Sequence, residues 1–159
     1  MRKIMINQAA ENTPSSDLNF LDIEHLAQVE FTSECREHPV ESALLLTADQ
    51  DAGWQAATSG EQTIRLVFDQ PRTIERIYLI FDEPQQSRTQ EFVLLWLMEN
   101  DSTYREILRQ QYHFSPPDTT REIENYEVRL DQLKVLELKI IPDISGSQAC
   151  ARLKQLRLA

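Results

Sequence analysis

Three histidines, His25, His38 and His113, and two cysteines, Cys35 and Cys150, are the side chains of this chain best suited to nucleophilic or metal chemistry. Their spacing supports neither. Cys35 and His38 form a C-x-x-H pair, but two ligands cannot close a tetrahedral zinc shell. Cys150 and His113 lack the flanking residues that mark a thiol nucleophile and its base. Asp and Glu number 26, so a glycosidase-like carboxylate pair can be drawn almost anywhere and carries no information. With three glycines, the chain has no Gly-rich phosphate loop. The sequence reads as a non-enzyme.

Recognition chemistry is better represented. Arg88 and Arg121 offer planar guanidinium forks that suit a carboxylate, a sulfate or vicinal hydroxyls. His113 can add a neutral hydrogen bond, and Gln86 and Asp143 add an amide and a carboxylate. Asp49, Asp51, Gln85, Asp118 and Ser145 lie in similar polar stretches. Trp54 follows Gly53 in a long loop, where a large aromatic can stack on a sugar ring. It more often plugs the end of a sandwich, and a core position is expected.

The elements that must hold these groups are short strands. Alternating β-branched and aromatic runs occupy 26–32, 62–69, 73–81, 90–98, 103–114, 121–130, 134–141 and 150–158, separated by Pro, Asp and Gly turn signals. Eight strands at this spacing predict an all-β antiparallel sandwich or barrel. Residues 38–46 (HPVESALLL) predict one short helix in the long first loop, with Pro39 at its start. Residues 1–17 read as a flexible lead-in and 18–159 as one domain. Ile64, Leu66 and Phe68 should share a buried face. The 90–98 run is apolar on both faces and should be a central strand.

If strand direction flips at each connection, the short connections 70–72, 99–102 and 131–133 fall at one end. The long ones, 32–61, 82–89, 115–120 and 142–149, then all fall at the other. Long loops on a rigid scaffold are where binding residues concentrate. The ligand-binding residues expected there are Arg88, His113, Arg121, Gln86 and Asp143.

A net charge of −10 and a pI near 4.7 disfavour nucleic acid, because a phosphate backbone would be repelled. No apolar run is long enough for a membrane helix, and Ile4–Ile6 is too short for a secretory core. The expected location is the cytoplasm, with Cys35 and Cys150 reduced.

Ser33-Glu34, His38-Pro39, Gly53-Trp54 and Ile64-Arg65-Leu66-Val67-Phe68 follow one another in a recognisable order. Ile74-Glu75-Arg76-Ile77, Glu91-Phe92, Ile141-Pro142-Asp143 with Gly146, and Leu153-Lys154-Gln155-Leu156 continue it. Over residues 18–159 the pattern resembles the discoidin family, the coagulation factor V/VIII type C domains. The resemblance implies an eight-stranded jelly-roll β-sandwich of the galactose-binding-domain-like class, binding ligands through loops at one end. It implies a carbohydrate or related polar small ligand; relatives also bind phospholipid head groups or protein partners. It further implies a calcium site at Asp49 and Asp51. Gln155 stands where many sugar-binding relatives carry a closing Glu, which removes one anionic ligand from that site. The polar loops argue against membrane docking. An alternative reading is a protein–protein interaction adaptor or self-associating subunit that uses a sheet face.

Overall fold

The computed structural model describes residues 19–46 and 52–159. The expected flexible segment 1–17 and the Asp49 and Asp51 calcium pair lie outside the described residues. The elements are α1 (Ile23–Leu26), β1 (Ala27–Phe31), α2 (Glu41–Leu44), β2 (Trp54–Ser59), β3 (Gln62–Asp82) and β4 (Arg88–Met98). β5 (Arg105–Phe114), β6 (Arg121–Ile141), β7 (Cys150–Leu153) and β8 (Gln155–Leu158) complete the chain. All strand pairs are antiparallel, and the order β1-β3-β6-β4-β5 forms the main sheet, with β8 also on β3. β2 and β7 pair separately.

β3 and β6, 21 residues each, run side by side throughout, from Gln62 opposite Ile140 to Asp82 opposite Arg121. A straight strand of that length would span about 70 Å. Yet the two ends of this ribbon meet: Glu83, just past Asp82, binds Arg88, and Arg88 in turn binds the carbonyl of Pro142, just past Ile141. The ribbon is therefore folded back on itself. Its first half, with β1, β4 and β5, makes one layer; its second half, with β8, makes the other. Register shifts between Val67 and Arg76 mark the bend, and Gln132 takes a left-handed φ of 58° on the partner strand. Pro71 has no N–H to donate and sits within these bulges, where a strand tolerates proline.

The core lies between the layers. Ile64, Leu66 and Phe68 are at most 1% exposed, as their alternation predicts, and Phe81 stacks on Phe92 across the layers with ring centroids 5.1 Å apart. β4 is internal, between β5 and β6, although Leu95, Leu97 and Met98 are only half-buried. Among the described residues no helix is long and apolar enough to cross a membrane.

The strand count is eight, as expected, but the partition differs. The predicted pairs 62–69 with 73–81, and 121–130 with 134–141, are each one bent strand, because bulges turn the chain without breaking the ladder. β2 falls inside the expected long loop 32–61; WQAATS has little apolar alternation and pairs only with the four-residue β7. The predicted strand 150–158 divides at Lys154. Arg157, in its second half, is 6% exposed, and its guanidinium Nη1 donates to the carbonyl of Ala43 in α2.

Candidate functional site

The long connections gather at one pole. The Glu83 N–H donates to Thr120 O (2.8 Å), joining the β3–β4 and β5–β6 loops. The Ile144 N–H donates to Thr89 O (2.9 Å), which brings in the β6–β7 loop. The β2–β7 ribbon spans this end. Ser59 leads by a two-residue turn into β3 in one layer, and past Leu153 the Lys154 N–H donates to Ile80 O (2.8 Å) in the other. Beneath the ribbon lies Trp54, 2% exposed, its indole N–H on Ser33 O at 2.9 Å. It is the plug that its position predicted.

A cleft of about 290 Å³ opens where the ribbon meets the second layer. It is lined by Ala52 and Gly53 with the start of β2 (Trp54, Gln55), the end of β7 (Arg152, Leu153) with Lys154 just past it, Asp82 and Arg121 from the bent ribbon, and His38. Leu153 turns into the core at 0% exposed, so Arg152 and Lys154 on either side face outward. Gly53 makes this junction. Its φ is +149°, and a Cβ there would stand 3.2 Å from Leu153 O. Arg121 spends Nε (2.7 Å) and Nη2 (3.0 Å) on the two oxygens of Asp82, which raises the guanidinium's affinity for its proton and leaves Nη1 directed elsewhere.

A second depression of about 490 Å³ adjoins the first. It shares His38 and Gln55 with it and continues to Glu34, Cys35, Arg36, Glu37 and Ala57. The C-x-x-H spacing is a turn here: the His38 N–H donates to Cys35 O at 3.0 Å, and the Cys35 thiol donates to Ala56 O at 3.2 Å. Both cysteines are free thiols.

The expected ligand residues separate. Arg121 lines the cleft. His113 lies on the outer face of β5, where its Nδ1 meets the Thr89 hydroxyl at 2.8 Å. Gln86 is exposed in the β3–β4 loop, and its N–H donates to Glu83. Asp143 organises the β6–β7 loop by accepting the Ser145 N–H (3.0 Å) and hydroxyl (2.8 Å). Desolvation opposes its ionisation, but these bonds and those from Ser147 and the Thr89 backbone together outweigh it and hold its carboxyl below the usual range. Arg88 was expected as a surface fork, and the structure corrects this. Its side chain is 0% exposed, bound to Glu83 Oε1 (2.8 Å) and Pro142 O (2.7 Å), and it lies over the Phe114 ring at 4.7 Å. The physical reason is satisfaction in place: a carboxylate, a carbonyl and a ring face consume a charge that would otherwise need solvent. Arg88, His113 and Arg121 do not share one depression.

Glu83, Arg88, Gln90 and Glu122 form a buried polar network below the loops. Desolvation alone would raise the Glu83 carboxyl, but Arg88 and the amides of Gln85 and Gln86 outweigh it and hold it low. Glu122 is the opposite case: burial, aided by the Glu124 carboxylate, pushes it up to about 8. Arg88 Nη2 and Glu122 Oε2 have no protein partner among the described residues.

Sequence reasoning missed Asp82, Gly53, Arg152 and Lys154 as a group, and weighed His38 only as a zinc ligand. Alternation within 150–158 does point Arg152 and Lys154 outward. Nothing local says that they meet residues 52–55.

No protein-family model matches this chain, and no curated protein sequence does. Solved structures do match. A pectin-binding carbohydrate-binding module aligns at 15% identity and TM-score 0.61, covering 84% of this chain and 89% of that one. The family 32 module of Clostridium perfringens NanJ, in complex with galactose, aligns at 12% identity and TM-score 0.62, covering 87% and 96%. CpGH89CBM32-5 from Clostridium perfringens, in complex with GalNAc-β-1,3-galactose, aligns at 12% and TM-score 0.65, covering 88% and 99%. The fold is the galactose-binding-like jelly roll. The alignments cover 89%, 96% and 99% of the three modules, so the likeness extends over the whole fold.

Proposed function

We propose that this jelly roll is a non-catalytic carbohydrate-binding module, of the discoidin-like kind its motifs resemble, and that the sugar lies in the cleft between β2, β7 and the ribbon end. One observation carries the reading. The cleft sits at the pole where the long loops converge, and strand ends, not loop tips, hold Arg121, Asp82, Arg152 and Lys154 around it. Rigid placement limits the ordering cost of binding. The structural neighbours that bind galactose, GalNAc-β-1,3-galactose and pectin support the same class of ligand. Among the described residues one carboxylate, Asp82, lines the cleft, and Arg121 engages it, whereas glycoside hydrolysis ordinarily uses two.

The alternative, docking through a sheet face, has less to support it. Among the described residues the exposed large apolar side chains are Phe31, Leu46 and Ile144, one at a strand end and two in loops.

Calorimetric titration with galactose, GalNAc-β-1,3-galactose, chitosan fragments and pectin fragments tests the proposal. At least one should bind, and Arg121→Ala should weaken it roughly tenfold. The fold should survive, because the Arg121–Asp82 pair is partly exposed and is worth about 1 kcal/mol or less. Silence across the whole panel would sink the proposal.

A further inference from the structure

Most cations of the described residues are already engaged. Arg65, Arg76, Arg88, Arg105, Arg109, Arg121, Arg129 and Lys139 pair with carboxylates; Lys134 and Arg157 bind carbonyls. Arg36, Arg72, Arg152 and Lys154 have no such partner among the described residues. Three of these four line the two adjoining depressions: Arg152 and Lys154 the first, Arg36 the second. In a chain of net charge −10, unpaired cations should scatter toward the abundant carboxylates. Here they collect in a concave site, with Arg121 beside them.

We infer that the ligand is an acidic glycan, in which carboxylate or sulfate groups on the sugar are met by Arg152 and Lys154. The inference rests on the carbohydrate reading above and narrows it. Arg152 supplies a planar fork that can hold two oxygens of one oxyanion, and Lys154 supplies a point charge beside it. The half-buried setting of both side chains weakens water's screening relative to an open surface. Arg121 can add Nη1 and the second hydrogen of Nη2, because Asp82 holds Nε–H and one Nη2–H. The first depression continues into the second through His38 and Gln55, so a chain longer than one ring can extend toward Arg36.

The test titrates the whole chain with oligogalacturonate, with its carboxyl-reduced neutral counterpart, and with a sulfated galactan oligosaccharide. At least one acidic ligand should bind about tenfold more tightly than the neutral one at low salt. That advantage should shrink as salt rises from about 50 mM to about 500 mM. Which acidic ligand wins identifies the oxyanion. The R152A/K154A double variant should lose the advantage while keeping the wild-type melting curve. Neutral binding equal to or tighter than acidic binding, or an unchanged acidic affinity in the double variant, overturns the inference and leaves the carbohydrate reading standing. No binding to any of the three overturns both.

Discussion

Arg88 shows how far a single side chain's role depends on what surrounds it. A guanidinium in a long connection reads as a ligand fork, yet here it ties the β3–β4 loop to the β6–β7 loop from inside. Removing one partner of a buried pair strands the other charge, at about 3–5 kcal/mol. Arg88→Ala should therefore lower the urea midpoint sharply; an unchanged midpoint would show that Glu83 does not need it. Glu122 gives a pH signature. Its carboxyl titrates near 4.5 when unfolded and near 8 when folded, so the folded state holds the proton more tightly. Its contribution to stability is complete below about pH 4.5 and fades as pH rises toward 8, by at most about 1.4 kcal/mol per pH unit. Glu83 works the other way, losing its contribution as pH falls through its lowered folded value. Glu122→Gln should flatten the decline in stability between about pH 5 and 8. Denaturant melts across that range measure it, and equal slopes in both proteins would refute the assignment.

At the scale of elements, the site depends on one close approach. The backbone of Gly53 passes so near Leu153 that a side chain would press on a carbonyl, at a φ that L-residues rarely adopt. Gly53→Ala should cost about 1–3 kcal/mol and weaken sugar binding, because it pushes β2 from β7 at the cleft wall. A thermal melt beside a titration separates the two effects; a variant with wild-type stability would show that the junction has slack. The bent β3–β6 ribbon is the other element-level finding. Turn residues at 69–71 and 131–132 were visible in the sequence, and they do reverse the chain. What they could not show is that the ladder continues through the reversal, because a bulge and a turn draw on the same residue types.

For the molecule as a whole, closure comes from the folded ribbon and the β2–β7 cap, not from a covalent link. Both cysteines are free thiols, with Cys35 bound to a backbone carbonyl. A reductant should leave the unfolding midpoint unchanged, and a downward shift would reveal a bridge in solution. The gathering of long loops at one pole was legible from connection lengths alone, and the hydrogen bonds from Glu83 to Thr120 and from Ile144 to Thr89 bear it out. The cleft within that pole was not legible. Of the residues expected to bind, Arg121 lines it, while Arg88 is interior and His113 faces outward.

Local pattern determined what the sequence could determine by itself: strand character, inner and outer faces, the plug at Trp54, and the end of the sandwich that carries the loops. These follow from period-two alternation and turn chemistry, which act between near neighbours. The tertiary structure alone decided that His38, Gly53, Asp82, Arg121, Arg152 and Lys154 surround one cleft, and that Arg88 and Arg157 lie inside. Those outcomes rest on pairing between distant segments and on which charges find partners once buried, and neither leaves a trace in the order of adjacent residues.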